Sequence, residues 1–317
     1  ALSEAVAGAL SEAVAGALVD QRVVKDAHAL DCLRAAAACS LAGFDWLWAN
    51  AAPGTNERSL RAGMEAEFLR AGAPRTAYDS IVASGPNAAV LHYAPDAADA
   101  LAPAGREIVA GDLLLVDAGA RVGGYASDVT RTVVVGADPT DEQEFVWRLV
   151  LATQTRAVDR CRPGEQWRDV HLDSARAIGA GLVELGVLRG EPDALVDSGA
   201  VALFYPHGLG HLIGLAVHDV GGRPPGTRRS EHPQLRWLRT DRPLETGMVT
   251  SVEPGVYFIE ALLGDQKTRE RFAEEVAWER VDELRGFGGV RIEDDVAVTD
   301  DEPEVLSAAI AKPLRVG

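Results

Sequence analysis

The stretch from residue 113 to residue 132 reads LLLVDAGARVGGYASDVTRT. It contains two apolar runs of strand character, joined by a short link in which Gly123 and Gly124 are adjacent. Adjacent glycines favour a tight turn, because glycine adopts the positive φ angles that such turns require. A turn here would bring Asp117 and Asp128 opposite each other on neighbouring strands. Two carboxylates that close repel each other and raise one pKa, unless a cation lies between them.

Three other residues stand in a similar context elsewhere in the chain. His211 lies in PHGLGHLIGLAVHD, Glu253 in SVEPGVYFIEALL and Glu293 in FGGVRIEDD. The two acids end or interrupt apolar runs, where a carboxylate is either exposed to solvent or buried. A buried carboxylate needs a cation, because an unpaired charge in a low-dielectric interior is very costly. One such acid alone is most often a solvated or capping residue, so it is the combination that indicates a metal site.

The charges of these candidate ligands indicate how many cations the site holds. The acids number four: Asp117, Asp128, Glu253 and Glu293. Two divalent cations balance their four negative charges and still allow a bridging hydroxide. Oxygen ligands with one imidazole suit Mn²⁺, Co²⁺ or Zn²⁺ better than a thiophilic ion. Two such ions, about 3.5–4 Å apart, lower the pKa of a bridging water and stabilise a tetrahedral intermediate.

Histidine is rare in this chain, and three of its seven copies fall within twelve residues. His207, His211 and His218 lie among glycines, which let the backbone approach a ligand closely. Such a group favours a functional role over core packing. His92 stands alone, and its context does not separate a functional role from a structural one.

Length and charge narrow the class of protein. The chain has 317 residues, of which 47% are hydrophobic and 25% charged, enough to bury one large core or two smaller ones. The 31 basic and 48 acidic side chains give a net charge of −17. This charge argues against nucleic acid and against an anionic membrane surface as partners. No apolar run approaches the roughly 20 residues that span a bilayer.

The cysteines and the N-terminal residues predict a cytoplasmic protein. Three cysteines without a CxxC pair predict free thiols, as expected in a reducing compartment. Glu4 and Glu12 interrupt the apolar residues near the N-terminus, unlike in a secretory signal. The sequence ALSEAVAG occurs twice over residues 1–16. We expect residues 1–23 to form a helical extension and residues 24–317 to form the catalytic domain.

Periodicity along the rest of the chain predicts helix pairs set between strands. Apolar residues at three- and four-residue steps indicate helices, and short β-branched or apolar runs indicate strands. The predicted helices are 24–50, a second one that runs from the cap Asn56 to Gly72, 141–160 and 166–185. The predicted strands are 80–84, 88–92 before a turn at Pro95, 113–116, 129–135, 248–252 and 290–298. Two helix pairs among antiparallel strands favour an α+β domain over a doubly wound parallel sheet.

The four motifs quoted above together resemble those of the pita-bread metallopeptidases, a family that includes prolidase, aminopeptidase P and methionine aminopeptidase. The resemblance extends from about Val24 to the C-terminus. It implies an α+β pita-bread fold with pseudo-twofold symmetry around a curved antiparallel sheet. It also implies two divalent metal ions, usually manganese or cobalt, with zinc as an alternative.

The resemblance also implies a role for each metal ligand. Asp117 matches a ligand of one metal only. Asp128 and Glu293 match carboxylates that bridge both metals. His211 and Glu253 match the residues that complete the coordination of the other metal. Glu253 also matches a residue that transfers the proton of the bridging water.

Four further residues match positions around the substrate in this family. His92 and His218 match histidines that bind substrate and stabilise the oxyanion. His207 matches a histidine of the substrate pocket. Arg291 matches an arginine that orients a carboxylate ligand.

The length of one segment points to a subgroup of the family. Glu293 follows Glu253 by 40 positions, a spacing that resembles bacterial prolidase more than the shorter link of aminopeptidase P. Arg239, in LRWLRTDRP, matches an arginine that binds the C-terminal carboxylate of a dipeptide in prolidases. A guanidinium fork there selects a free carboxylate one residue past the scissile bond. The alternative for Arg239 is a surface ion pair with Asp241 or Glu245.

The function implied is the hydrolysis of small peptide substrates, Xaa-Pro dipeptides, by a hydroxide that bridges two metals. Two alternatives are open: an aminopeptidase P that removes the N-terminal residue of longer Xaa-Pro peptides, and a catalytically inactive binding module of the same fold. Methionine aminopeptidase is disfavoured, because RIEDD is not the context of its last ligand. Bacterial prolidases carry a separate domain ahead of this one, whereas about 25 residues stand there in this sequence, so a homodimer is left open.

Overall fold

The computed structural model describes residues 14–94, 105–224 and 226–317. A helical segment over residues 14–23 precedes the main body of the fold. The helices that follow are α1 (Ala27–Asn50), α2 (Glu57–Arg70), α3 (Asp141–Asp159), α4 (Trp167–Glu184), α5 (Pro192–Ser198), α6 (Glu260–Leu263), α7 (Gln266–Arg271) and α8 (Trp278–Glu283). Short 3-10 turns cover Gly85–Ala89 and Val201–Leu203.

The strands form small sheets that are mostly antiparallel. They are β1 (Arg75–Thr76), β2 (Ile81–Ser84), β3 (Leu113–Ala118), β4 (Ala120–Val122), β5 (Tyr125–Ala126), β6 (Val129–Val135), β7 (Val249–Val252), β8 (Gly255–Tyr257), β9 (Gly289–Arg291), β10 (Asp294–Ala297), β11 (Glu304–Val305) and β12 (Arg315–Val316). Their orders are β12-β6-β3-β2, β11-β10-β7, β1-β4-β5 and β8-β9. Strand β12 runs parallel to β6, and the other paired strands of the described chain are antiparallel. The predicted α+β class is confirmed.

Two helix pairs each cover a separate core. In the first pair, α1 and α2 bury Phe44, Leu47 and Phe68 together with apolar residues of β3 and β6. In the second pair, α3 and α4 bury Val150 and Ile178 together with apolar residues of β8 and β9. Burying an aromatic or branched aliphatic side chain contributes about 1.5–3 kcal/mol, so these faces hold the helices on the sheets. The strands between the two pairs carry the residues of the candidate site.

Helix boundaries follow capping residues. Helix α1 begins at Ala27 and not at the predicted residue 24, because the Asp26 side chain accepts a hydrogen bond from the Ala29 backbone and caps the helix. Asn56 caps α2 as predicted, accepting from the backbone N–H of Arg58. The helices predicted at 141–160 and 166–185 are found as α3 and α4, each within one residue at either end.

The predicted strand at 88–92 is wrong. The chain instead makes the 3-10 turn Gly85–Ala89, which begins at a Gly85 φ of +54° that a β-branched strand residue would avoid. The apolar run misled because Ala88 and Ala89 are buried by a turn, without a partner strand, whereas Val90 is half exposed. The turn predicted at Pro95 lies outside the described residues.

The predicted strand at 290–298 is also not continuous. Strand β9 pairs with β8, whereas β10 pairs with β7, so the chain passes from one sheet to another between them. Ile292 and Glu293 occupy this gap, and the backbone N–H of Glu293 donates to the carbonyl of Thr130 (3.0 Å). A single apolar run therefore supplies two short strands and places an acidic side chain between them.

The N-terminal extension is described only in part. Residues 1–13 lie outside the described residues, and residues 14–23 are helical. Val23 is buried against Leu209 and Met248 of the main body. The division into an extension and a catalytic domain stays a prediction. None of the helices in the described part of the chain has the length and apolar character needed to cross a membrane.

Candidate metal centre

The five predicted metal ligands lie where strands end or are interrupted. Asp117 lies near the end of β3, and Asp128 directly precedes β6. Glu253 lies in the link between β7 and β8, and Glu293 lies between β9 and β10. The backbone of His211 hydrogen-bonds to β7. Residues from four distant parts of the sequence therefore meet at one place in the fold.

The distances within this cluster are short. Ligand atoms of Asp128, His211 and Glu293 all lie within 4.8 Å of one another. His211 Nε2 lies 3.4 Å from Asp128 Oδ2 and 3.6 Å from Glu253 Oε1. One divalent ion could therefore be shared by several of these side chains.

Asp117 and Asp128 come close together, but they are not directly opposite each other as the opening motif predicts, because Asp117 pairs with Thr130 in the register of β3 against β6. The Gly123–Gly124 turn joins β4 to β5, which pair with each other. On either side of this small hairpin the chain continues into β3 and β6, which also pair with each other. The hydroxyl of Tyr78 lies 2.5 Å from Asp117 Oδ1 and also contacts Asp128 Oδ1. A single phenolic hydrogen cannot compensate two carboxylates, so the pair is left with excess negative charge.

Burial and mutual repulsion shift the ionisation of the acids. Burial, followed by the charge of Asp117, holds the pKa of Asp128 well above its usual range. Burial and the charge of Asp128 do the same to the pKa of Glu293. Burial raises the pKa of Glu253 to about 7. Burial lowers the pKa of His211, which keeps its imidazole neutral and able to donate a lone pair.

The donor set fits divalent cations. The carboxylates are crowded and partly or fully buried, and burial, together with the charges of neighbouring acids, raises the pKa values of Asp128, Glu253 and Glu293. Oxygen donors with one neutral imidazole are the ligands that Mn²⁺, Co²⁺ and Zn²⁺ accept. The residues that could hold such ions are Asp117, Asp128, His211, Glu253 and Glu293.

Arg291 orients the acids at the back of the cluster. Its Nη2 donates to Asp117 Oδ2 (2.6 Å), and its Nη1 donates to the Tyr257 hydroxyl (2.9 Å). Its Nε donates to Thr130 Oγ1 (3.0 Å), and the Thr130 hydroxyl in turn donates to Glu293 Oε2 (2.6 Å). Arg291 thus touches one predicted ligand directly and holds a second one through Thr130.

Three residues of this network were missed by sequence reasoning: Tyr78, Thr130 and Tyr257. Thr130 could have been found, because it lies two residues after Asp128 and side chains two apart on a strand share a face. Tyr257 lies in the EPGVY motif, but tyrosine is common in strands, so its presence there gave no signal of a functional role. Tyr78 carries no local signal, because it lies in the link between β1 and β2, and only the pairing of these strands with later ones brings it to the acids.

A cavity of about 420 Å³ opens onto the cluster. It is lined by all of the residues predicted to bind substrate: His92, His207, His218, Arg239 and Arg291. Burial lowers the pKa of His207 and that of His218 to about 3, so both imidazoles are neutral near pH 7. His207 Nε2 lies 2.9 Å from the Tyr257 hydroxyl, and the His218 ring packs edge-on against that of His211.

Arg239 does not form the alternative ion pair. Asp241 accepts hydrogen bonds from Arg168 and Arg223, and Glu245 accepts one from Arg242. Over residues 14–94, 105–224 and 226–317, no carboxylate is found in an ion pair with Arg239. Its guanidinium therefore lines the cavity with its charge available to a ligand.

His171 joins two segments that line the cavity. The Leu209 backbone N–H donates to His171 Nδ1 (3.1 Å), so the proton of the neutral ring lies on Nε2, which donates to the Gln234 carbonyl (2.7 Å). One contact fixes the His207–His211 segment, and the other fixes the segment ahead of Arg239. Burial lowers the pKa of His171 to about 4.

We expect this histidine to make stability fall in mild acid. The unfolded chain binds a proton below the ordinary pKa of 6.5, whereas folded His171 does not until about pH 4. Stability is therefore lost as pH falls from 6.5 to 4, by about 3 kcal/mol in total. Urea unfolding at a series of pH values should show a shallower loss in His171→Gln than in the wild type. Equal losses in both proteins would contradict the assignment.

Antiparallel strands that converge on a buried cluster of acids and one imidazole, beneath a cavity lined by histidines and arginines, form a candidate metal centre. The comparison with known families specifies the class of protein. The chain belongs to the metallopeptidase family M24, whose family model matches residues 31–300. This family requires divalent metal ions, and the predicted pita-bread fold is confirmed.

Individual relatives are peptidases that act next to proline. Over 240 residues the chain is 42% identical to the human Xaa-Pro dipeptidase, an alignment that covers 76% of this chain and 48% of that protein. The structure of Pseudomonas aeruginosa aminopeptidase PepP matches with a TM-score of 0.77 and 38% identity, over 94% of this chain and 59% of that one. A zinc-substituted Escherichia coli aminopeptidase P in complex with product matches with a TM-score of 0.74 and 33% identity, over 92% and 58%. The chain thus spans about half to three-fifths of the length of these relatives.

Proposed function

We propose that this protein hydrolyses Xaa-Pro dipeptides with the aid of two divalent metal ions. The observation that carries the proposal is Arg239, whose guanidinium lines the same cavity as the acid cluster and has no ion-pair partner among the described residues. A fixed cation at that place favours a substrate whose free carboxylate follows closely after the scissile bond. The 42% identity to an Xaa-Pro dipeptidase supports the same choice.

Five side chains would hold the two ions. Asp117 would help to hold one ion, His211 and Glu253 would hold the other, and Asp128 and Glu293 would be shared between the two. Manganese is the proposed metal, with cobalt and zinc as alternatives that the same donors accept. When bound, such a pair of ions activates water and polarises the scissile carbonyl.

The chain's own residues bind the substrate and move its protons. The carboxylate of Glu253 takes the proton of the attacking water and returns it to the leaving nitrogen. The imidazoles of His92 and His218 face the carbonyl, where hydrogen bonds strengthen as negative charge develops. His207 and Arg291 shape the floor of the pocket. The imide nitrogen of proline has no hydrogen, so the pocket needs no acceptor for it.

A second candidate is an aminopeptidase P that acts on longer peptides, supported by the solved structures that the chain resembles. Hydrolysis of Ala-Pro and of Ala-Pro-Ala by the manganese-loaded protein separates the two. We expect the dipeptide to be cleaved at least about 10-fold faster in kcat/KM, as the loss of a charged contact predicts. Equal or faster cleavage of the tripeptide would favour aminopeptidase P. A purified protein that binds no metal and stays inert with Mn²⁺ would favour an inactive binding module.

Substitution of Arg239 provides a separate prediction. Arg239→Met removes the proposed partner of the substrate carboxylate, and a hydrogen bond between charged groups contributes about 1.5–3 kcal/mol. We expect kcat/KM for Ala-Pro to fall about 10- to 100-fold. The matched control is Ala-Pro-amide, which lacks the carboxylate and should be cleaved equally by the wild type and the variant. A similar fall for both substrates would contradict the contact.

We also propose that the protein acts in the cytoplasm. Cys32, Cys39 and Cys161 are all buried as free thiols, which a reducing compartment preserves. Fractionation of the source cells with antibody detection tests this.

A homodimer is a further part of the proposal, and light scattering of the purified protein tests it.

A further inference from the structure

Glu57, the first residue of α2, is a buried carboxylate outside the metal cluster and has an unusual number of donors. Its side chain has five hydrogen-bonding partners on the segment that follows β2 and on the chain just before β3. The backbone N–H and the hydroxyl of Ser84 donate to Oε1 (2.6 and 2.7 Å), as does Asn87 Nδ2 (3.1 Å). The Tyr93 hydroxyl and the Arg106 backbone N–H donate to Oε2 (2.9 and 2.8 Å). Glu57 is 1% exposed.

These contacts hold the segment of residues 84–93 at both of its ends. Ser84 anchors the end that leaves β2, and Tyr93 anchors the end that carries the histidine. Arg106 adds a second connection, because its guanidinium donates to the Ser84 hydroxyl (2.8 Å) and pairs with Asp112 (2.5 Å). Moving either end would leave a buried carboxylate short of donors, which is costly.

His92 has no comparable anchor of its own. Its side chain is exposed towards the cavity, and in the described parts of the chain no hydrogen bond or ion pair is found to hold it. The position of its imidazole therefore depends on the backbone, and the nearest anchored residue is the adjacent Tyr93. The Tyr93 hydroxyl also accepts from Asn87 Nδ2 (2.9 Å), which ties it to the preceding turn.

We propose that Glu57 is a positioning residue for the reaction, acting through Tyr93 to hold His92 at the cavity. The proposal rests on the proposed peptidase function for its kinetic consequence. A reacting group displaced by about 1 Å can cost 10²-fold in rate, so a rigid support for an otherwise untethered histidine has a large effect on kcat. Glu57 itself does not touch the cavity.

A double-mutant cycle tests the route through His92. Tyr93→Phe removes the hydroxyl and keeps the ring, and we expect it to lower kcat for Ala-Pro about 10-fold with KM changed less than twofold. In the His92→Ala background the same substitution should change kcat less than twofold, because the histidine that it displaces is gone. Equal effects of Tyr93→Phe in both backgrounds would overturn the proposal.

Thr140→Ala is the matched control for stability. It removes the cap of α3, far from the cavity, and is chosen because losing a cap lowers the melting temperature without touching Glu57. Its kcat should stay within twofold of the wild type. A fall in kcat as large as that of Tyr93→Phe would mean that general destabilisation explains both, and would overturn the proposal.

Hydrogen exchange of the metal-free protein provides a readout that does not depend on activity. Glu57→Gln keeps the shape of the side chain but replaces one acceptor oxygen with a donor. We expect amide exchange over residues 84–93 to rise at least about 10-fold in Glu57→Gln and in Tyr93→Phe, with little change in Thr140→Ala. Unchanged exchange in the first two variants would overturn the proposal. If the wild-type protein cleaves no Xaa-Pro peptide, the proposed function is refuted, but this result does not test the role of Glu57. The hydrogen-exchange measurement would still decide whether Glu57 holds residues 84–93.

Discussion

Asp128→Asn is expected to abolish most turnover and most metal binding while leaving the fold intact. The substitution removes the negative charge that lies nearest to both Asp117 and His211 in the cluster. We expect bound manganese, measured by elemental analysis, to fall below one ion per chain. We expect kcat to fall on the order of 10³-fold, which corresponds to about 4 kcal/mol of transition-state stabilisation.

In the absence of metal, Asp128→Asn should stabilise the protein, in contrast to its harmful effect on activity and metal binding. Burial and the charge of Asp117 raise the pKa of Asp128, so the carboxylate is unfavourable in the absence of a cation. In the presence of a chelator, Asp128→Asn should therefore melt at a higher temperature than the wild type. When Mn²⁺ is added, its melting temperature should rise less than that of the wild type. The control is Asp45→Asn on the exposed face of α1, which should alter stability by less than about 0.5 kcal/mol. Full activity in Asp128→Asn, or a lower melting temperature in chelator, would refute the shared role.

Arg131→Met is expected to destabilise the protein by about 3–5 kcal/mol, because it removes one of the two cations that pair with the buried Asp294 and leaves backbone carbonyls without a donor. Arg131 and Asp294 are 1% and 0% exposed, and their charges lie 2.8 Å apart. Burial opposes ionisation of Asp294, yet the charges of Arg131 and Lys312 hold its pKa at about 2. Arg131 also donates to the backbone carbonyls of Glu293 (2.5 Å) and Ile310 (2.8 Å).

Urea unfolding measures this loss. The control is Arg148→Met, which removes an exposed ion pair with Glu144 and should change the free energy of unfolding by less than about 1 kcal/mol. Similar changes in the two variants would show that the buried pair contributes no more than a surface one. Since Arg131 supports the backbone beside Glu293, the variant should also bind metal less tightly.

The acids and the histidine of the cluster could be singled out from the sequence because each stands in a short motif with a local reason for an acid or a histidine, and their role as metal ligands stays a prediction. The hairpin geometry around Asp117 and Asp128 follows from two apolar runs and a Gly-Gly turn. The helix pairs follow from apolar periodicity and from caps such as Asn56. These features depend on neighbours in sequence, where propensity and spacing are informative.

What could not be predicted depends on contacts between distant segments. The 3-10 turn after β2 depends on Glu57, which lies 27 residues before Ser84 in the sequence. The break at Glu293 arises because two strands from one apolar run pair with different sheets. The contact of Tyr78 with the acids depends on how the flanking strands β1 and β2 pair with β4 and β3. Periodicity alone cannot supply such pairings.

The gap at Glu293 has a consequence for how the molecule unfolds. Asp117 and Asp128 come from the sheet under the first helix pair, whereas Glu253 and Glu293 come from strands beside the second pair, each with its own core. Ions bound between these acids would act as a further cross-link between the two halves, in addition to the Arg131–Asp294 ion pair and the hydrogen bond from Glu293 to Thr130. A loaded protein would then melt at a higher temperature than its stripped form, and its two halves would unfold together more cooperatively.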